Sequence, residues 1–463
     1  VARVLTGLIP ARVFSRTDEH LRRDKECGEL TSGRELPDLK QYFILQPSAS
    51  RSPRENEATV VALNALEYVE VAYLQTRSAP LPGIDIAPPT TFNVEPTLAF
   101  LEAAPLGIDA RYAWAQPGGM GEYAKILDIE WGWRLSHEDM RVPFTGIFGT
   151  PDAAGEYHGT ATLGVLIGDH NGFGIAGISH LSPFALAVGT NGNTTGVIAA
   201  DAISYGTGLL SAGDVMLIEL QTFGALPAVI DGDLQLCGHS GAQGLAAVPL
   251  EYESVVFDAI AVATANRIVV VEPAGNGAVS LDHPAFLGIF DMSSPNYRDS
   301  GAIMVASSMV NRAPHCSSNY GSRVDVSAQG EHFPSAWGSP SNNGWFFNPA
   351  GDDNQKYGQF GGTSSASAIV AGAAAVAQSL QKARGGPVLS SERMRILLRT
   401  DGTPQATDTR RIGPMPNLAA IHLWMLGDLD GDGISNVTEL ALGRRPDLSE
   451  AALVSALTSL FWE

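Results

Sequence analysis

Between about residue 105 and residue 400, short apolar runs alternate with helical stretches, in a segment dense in Gly and Ala. Residues 124–129, 214–220, 267–272 and 303–307 read as strands, the last three rich in β-branched or long aliphatic side chains. Residues 159–167 read as a helix, and the small-residue run 366–377, broken by Ser367 and Gly372, reads as a buried helix. Strands alternating with helices dictate a mostly parallel sheet covered on both faces, so the expected fold class is α/β with a doubly wound parallel sheet. In such sheets reactive groups gather at the carboxyl ends of the strands.

Charge narrows the partners. The chain carries 29 Lys+Arg against 49 Asp+Glu, a formal charge of −20, which disfavours nucleic acid or an anionic membrane surface as a partner. No apolar run reaches the roughly 18 residues needed to span a bilayer. Cys27, Cys237 and Cys316 match no metal motif, and either one disulfide with a free thiol or none is compatible with the count. Cys237 and Cys316 read most simply as small buried hydrophobes. The sequence opens at Val1, so a signal peptide, if made, is expected upstream.

Composition divides the chain into five parts. Residues 1–40 are charged and irregular and are expected to be a solvated extension. Residues 41–76 form a small α+β unit, with strands expected at 42–45 and 68–74 around a helix at 55–66. Residues 77–104 carry Pro80, Pro82, Pro88, Pro89 and Pro96 and read as an extended linker. The α/β domain spans 105–402, and 403–463 is a tail of different character with an amphipathic helix expected at 448–461.

Three patterns within the α/β domain carry chemistry. Asp128 lies at the end of an apolar strand, His158 opens His158-Gly159-Thr160 at a helix, and Ser364 sits in Gly362-Thr363-Ser364-Ser365-Ala366-Ser367 before the small-residue helix. A serine hydroxyl becomes a nucleophile when an imidazole takes its proton, and a buried carboxylate fixes the imidazole tautomer. A helix N-terminus at Ser364 adds positive potential beside developing negative charge. Directly after the run 268–271, Ala274-Gly275-Asn276-Gly277 offers a side-chain amide that can donate to an oxyanion.

In their order Asp, His, Ser, these motifs resemble those of the subtilisin-like serine peptidases, the subtilases, over about 105–399. The resemblance implies a serine endopeptidase with Asp128, His158 and Ser364 as the triad and Asn276 at the oxyanion hole. Its substrate would be a protein or peptide. It implies Glu219, Leu220, Gln221 and Gly275 as the walls of the substrate cleft, where Glu219-Leu220-Gln221-Thr222 replaces the family's Ser-Leu-Gly-Gly. A carboxylate of Glu219 in the S1 wall would favour a basic P1 residue, whereas a Glu219 pointing away would not. Ser365, Ala368 and Ile369 replace the family's Met, Pro and His, which bears on subfamily more than on activity. The resemblance further implies that 41–76 is an inhibitory propeptide, that the chain is a zymogen cleaved between Leu74 and Ala104, and that the protein is secreted. A catalytically silent binding module and a peptide ligase or cyclase are the alternatives.

Calcium enters twice. Asp428, Asp430, Asp432, Ile434, Asn436 and Glu439 fill a D-x-[DN]-x-[DN]-G-x₅-E loop, with Gly433 at the sharp turn. The loop resembles a single EF-hand or a dockerin- or thrombospondin-type calcium repeat, and helices are expected at 418–425 and 437–442. By resemblance to subtilases, a second Ca²⁺ would be held by Asp139 and Asn171 with backbone oxygens of Asp169, Phe173 and Ile175.

Overall fold

A computed structural model describes residues 7–47, 51, 53–74, 91, 93–140, 145–190, 196–225, 245–338 and 353–448. Cys237, much of the proline-rich linker and nearly all of the expected C-terminal helix lie outside the described residues. In chain order the N-terminal unit contains β1 (Leu8–Arg12), α1 (Asp18–Ser32), β2 (Phe43–Pro47) and α2 (Pro53–Asn64). The α/β domain begins with α3 (Ala110–Trp114), β3 (Ile126–Glu130), β4 (Ile147–Phe148), α4 (Glu156–Ile167), β5 (Phe184–Val188) and α5 (Gly196–Leu209). It continues with β6 (Val215–Ile218), β7 (Gln221–Ala225), β8 (Leu245–Pro249), α6 (Ser254–Ala265), β9 (Val269–Pro273) and β10 (Ile303–Ser308). Then come β11 (Val326–Gln329), β12 (Phe333–Ala336), β13 (Tyr357–Phe360), α7 (Gly362–Ala383) and α8 (Ser391–Arg399). The tail holds α9 (Leu418–Leu426) and α10 (Asn436–Ala441).

Seven strands form one parallel sheet in the order β11-β10-β9-β6-β3-β5-β4, as expected from the alternating pattern. The strands are apolar on both faces because helices cover both faces. Ile126 joins the core under α4 and α7, whereas Leu127 and Ile129 join the core under α5 and α6. The chain leaves β3 towards β5 on one side and returns to β6 on the other, so β3 lies at the switch point. The crevice beyond its carboxyl end is where a doubly wound sheet places its ligands.

The N-terminal unit departs from two expectations. Residues 1–40 are not a solvated extension: β1 pairs antiparallel with β2, and α1 docks on the outer helices of the α/β domain. Thr17 caps α1 by accepting from the His20 N–H, and Gly33 closes it in the left-handed conformation. Leu21 is buried in the α5–α6 core, which is worth about 1.5–3 kcal/mol for a leucine. Asp201 of α5 accepts from Ser15 N–H and Oγ at 2.7 and 2.8 Å, and Arg16 reaches both Asp24 and the Ser204 carbonyl. The helical periodicity of 18–32 is mostly polar, so these tertiary contacts decide its place. The strand expected at 68–74 does not form. That segment is irregular, and the Tyr73 hydroxyl accepts from the Val255 N–H at the start of α6 at 3.3 Å. Cys316 is disulfide-bonded rather than a free buried thiol, and Cys27 is free and exposed.

Candidate active site

Asp128 and Glu130 are two residues apart on β3, so both side chains leave the same face of the sheet, about 6–7 Å apart along the strand. Only the second stands level with the imidazole. Glu130 Oε1 meets His158 Nδ1, and Glu130 Oε2 accepts from the Trp131 N–H at 2.9 Å. Asp128, one step deeper, instead accepts from Trp133 Nε1 at 2.7 Å. Its Oδ1 is buried without a hydrogen-bond partner among the described residues. Burial, then the neighbouring Glu130, pushes the Asp128 carboxyl well above the usual carboxylate range, against the pull of the Trp133 N–H. The carboxylate that meets the imidazole is therefore Glu130, the last inward-facing residue before the crevice, and not the expected Asp128. The rule that reactive groups sit at strand ends, applied with the two-residue period, points to it.

His158 lies in the first turn of α4, and its Nε2 is 3.0 Å from Ser364 Oγ. Gly159 makes this approach possible, since a Cβ there would stand 2.3 Å from the Gly132 carbonyl oxygen. The His158 ring sits edge-on to Phe360 at 5.3 Å, and Tyr157 beside it lies on Trp337 at 4.9 Å. Ser364 is in the first turn of α7, entered through Gly362 at φ +75, whose Cβ would be 3.0 Å from Asn276 Oδ1. Ser364 is 0% exposed, His158 1% and Glu130 0%.

Asn276 follows β9 and is turned by Thr363. Its Oδ1 accepts from Thr363 N–H at 3.0 Å and from Thr363 Oγ1 at 3.1 Å, which leaves the amide NH₂ as its donor. Gln221 Oε1 accepts from the Asn276 N–H at 3.1 Å, so Gln221 braces this corner. Gly275 adopts φ +91, and its carbonyl accepts from Asn319 N–H at 3.0 Å. Fully buried Asn319 also donates to the Ala247 and Ala274 carbonyls at 2.7 Å each, tying β8 to the corner that holds Asn276. No motif in the sequence marks Asn319.

The other expected cleft residues separate. Leu220 is buried in the α5–α6 core and lines no cleft. Glu219 is also fully buried, turned to α7, where Ser367 Oγ meets its Oε1. This placement gives the expectation of a basic P1 residue no support. Glu219 carries its own group of buried neighbours: ligand-type atoms of Glu130, His158 and Glu219 lie within 4.8 Å of one another.

In the tail, α9 and α10 flank the acidic loop as expected. Carboxylate oxygens of Asp428, Asp430 and Asp432 converge within 4.8 Å, and Asp430 Oδ2 is buried with no hydrogen-bond partner among the described residues. Asp428 Oδ1 and Oδ2 accept from Gly431 and Gly433 N–H groups, which wraps the loop around that convergence. Glu439 is 0% exposed on α10. A donor set of hard, converging oxygens with one buried orphan fits Ca²⁺. Asn436 differs from its expected role: its Oδ1 accepts from Leu429 N–H and its Nδ2 donates to the Trp424 carbonyl, so its side chain knits the two helices together.

Asp139, Asp169, Asn171, Phe173 and Ile175 do meet, but as a hydrogen-bonded cluster. Asp139 Oδ1 accepts from Asn171 Nδ2 at 2.9 Å and Oδ2 from the Ile175 N–H at 2.6 Å, while Asn171 Oδ1 accepts from the Phe173 N–H. Both carboxylate oxygens face N–H donors, so this set does not fit a cation as arranged. Burial raises the Asp139 carboxyl to about 7 despite those two donors.

Comparison with known proteins bears on the family and the fold. Residues 136–413 match the subtilase family, peptidase family S8, a match that starts beyond β3. A solved structure described as proteases from Pseudoalteromonas arctica PAMC 21717 is similar over 72% of this chain and 99% of its own, at 22% identity and a TM-score of 0.51. The prenylagaramide maturation protease PagA is similar over 68% and 98%, at 15% identity and a TM-score of 0.48. No curated protein matches this chain. The family match spans more than half of the sequence, and the doubly wound parallel sheet is that of the solved protease: the chain belongs to the subtilase family.

Proposed function

We propose that the protein is a serine endopeptidase working through Glu130, His158 and Ser364, made as a latent precursor. The observation that carries this reading is the unbroken line from Glu130 through both nitrogens of His158 to Ser364 Oγ. Ser364 Oγ attacks the substrate carbonyl as its proton passes to His158 Nε2. Glu130, on Nδ1, holds the imidazole in the tautomer with a free Nε2 and stabilises the imidazolium. The Asn276 NH₂ and the Ser364 N–H at the start of α7 receive the oxyanion. His158 then returns the proton to the leaving amine, the acyl-enzyme forms, and water activated by the same base releases it.

Latency is supported by the closed state of the site and by the N-terminal unit seated on α5 and α6. In the propeptide reading, cleavage between Leu74 and Ala104 frees the crevice. Bound Ca²⁺ at Asp428, Asp430, Asp432 and Glu439, with the Ile434 carbonyl, would clamp the tail. Secretion fits the disulfide at Cys316. Incubating wild type and Ser364→Ala with an unfolded protein substrate, followed by mass spectrometry of the products, tests the reading. New peptide termini from wild type alone support it. Intact substrate, or joined rather than cleaved products, would overturn it in favour of a silent fold or a ligase.

A further inference from the structure

Glu219 is a buried acid beside His158 and Ser364 that the reaction above leaves unused. It follows β6 at the switch point, 0% exposed, in the position where the subtilases carry a serine. The groups facing it are few. From β3 come Glu130 and, behind it, Asp128; from α4 comes His158; from α7 come the Ser364 and Ser367 hydroxyls. On β9 the charged group is Glu272, which faces Glu251 and Arg323 instead. Among the described residues, the groups that act most strongly on Glu219 include no Lys or Arg. Three carboxyls thus share one dry crevice with a single imidazole as the prospective cation.

Proton counting at Ser367 says which state Glu219 takes. Ser367 Oγ has one hydrogen and three oxygen neighbours: Glu219 Oε1, the Thr363 carbonyl at 2.8 Å and the Ser364 carbonyl at 2.9 Å. With Glu219 ionised, all three are acceptors competing for that hydrogen. With Glu219 protonated, its O–H donates to Ser367 Oγ, and Ser367 donates onward to a helix carbonyl, so the bonds are compatible. Burial, reinforced by Glu130, also pushes this carboxyl well above the usual range, although Ser367 and Ser364 pull the other way.

We propose that Glu219 is a positioning residue held as a neutral carboxylic acid in the working enzyme, and that losing its proton to solvent shuts the nucleophile down. This rests on the peptidase reading. Ionised Glu219 accepts from the Ser364 hydroxyl and draws its hydrogen away from His158 Nε2. It also sets a second negative charge beside the forming oxyanion. Activity therefore falls as pH rises through the ionisation of Glu219, an alkaline limb that the three triad residues alone do not produce.

The test is the pH dependence of kcat/KM and of fluorophosphonate labelling for processed wild type, Glu219→Gln and Glu219→Ser, with folding followed by circular dichroism. Gln mimics the neutral acid, and Ser restores the family's residue should Gln fail to fold. Wild type is expected to lose about 100-fold two pH units above the midpoint of the limb, whereas the variants stay within a few-fold of their own maxima. The same alkaline limb in a folded variant would overturn the inference and leave the peptidase intact. Folded variants inert at every pH where wild type works would also overturn it, because the carboxyl would then be doing chemistry. Wild type that neither hydrolyses nor labels at any pH would remove the peptidase reading, and the inference with it.

Discussion

Replacing Glu130 by Gln keeps the shape of the side chain and removes the charge that faces His158 Nδ1. The amide can present its NH₂ to Nδ1, which stabilises the tautomer with the proton on Nε2 and so turns the imidazole away from its role as base. In a Ser-His-acid triad this isosteric change costs about 10⁴ in kcat, or about 5 kcal/mol of transition-state stabilisation. Asp128→Asn should behave differently. Asn can still accept from Trp133 Nε1, and the Asp128 carboxyl is hydrogen-bonded to that indole rather than to His158 or Ser364. Its effect should stay within about tenfold, and because its Oδ1 is already a buried orphan, stability should change little. Steady-state kinetics on a fluorogenic peptide, with circular dichroism to confirm folding, compares the pair. A loss of about 10⁴ in Asp128→Asn with near-normal Glu130→Gln would refute the assignment and the strand-end rule behind it.

Asn276→Ala should lower kcat by about 10²–10³ with little change in KM, the size of effect seen for an oxyanion donor in subtilisin itself; an equal rise in KM at constant kcat would make Asn276 a ground-state contact. Asp139 is protonated more readily in the folded than in the unfolded chain, because burial lifts it to about 7 from an ordinary value of 3.8. The folded state therefore binds the extra proton between those values, and stability falls as pH rises across that window. Asp139→Asn should flatten this part of the denaturation-midpoint profile, and an unchanged slope would mean that another group titrates there. Calcium at about 100 times its Kd should stabilise the fold by about 2.7 kcal/mol, and Asp430→Asn or Glu439→Gln should abolish that shift in thermal midpoint; a calcium-dependent shift that survives both would place the ion elsewhere.

The alternation of apolar strands and helices made the parallel sheet legible from sequence, because burial on both faces leaves runs with no polar interruption. His158, Ser364 and Asn276 were legible because each sits in a short motif next to its own element. The acid was not. Asp128 and Glu130 share a face of β3, and which of them meets the imidazole depends on where α4 crosses, a height set by the contact between Gly159 and the Gly132 carbonyl. The docking of α1 was hidden for a related reason: a mostly polar helix with few buried residues, such as Leu21, announces no partner before α5 and α6 are in place. Asn436 fitted the calcium pattern by type, yet the close packing of α9 and α10 claims its amide for the Trp424 carbonyl and the Leu429 N–H. Leu220 and Glu219 were misplaced together, because one is turned into the sheet core and the other under α7.

Ser364 as an activated nucleophile in a latent precursor is the claim on which the rest depends. Labelling with a fluorophosphonate probe, read by intact mass over time with and without Ca²⁺, on wild type and Ser364→Ala, tests it most directly. One adduct is expected on wild type and none on Ser364→Ala, with loss of the residues ahead of the 74–104 region as labelling appears. A folded, trimmed wild type that never takes the probe would contradict it.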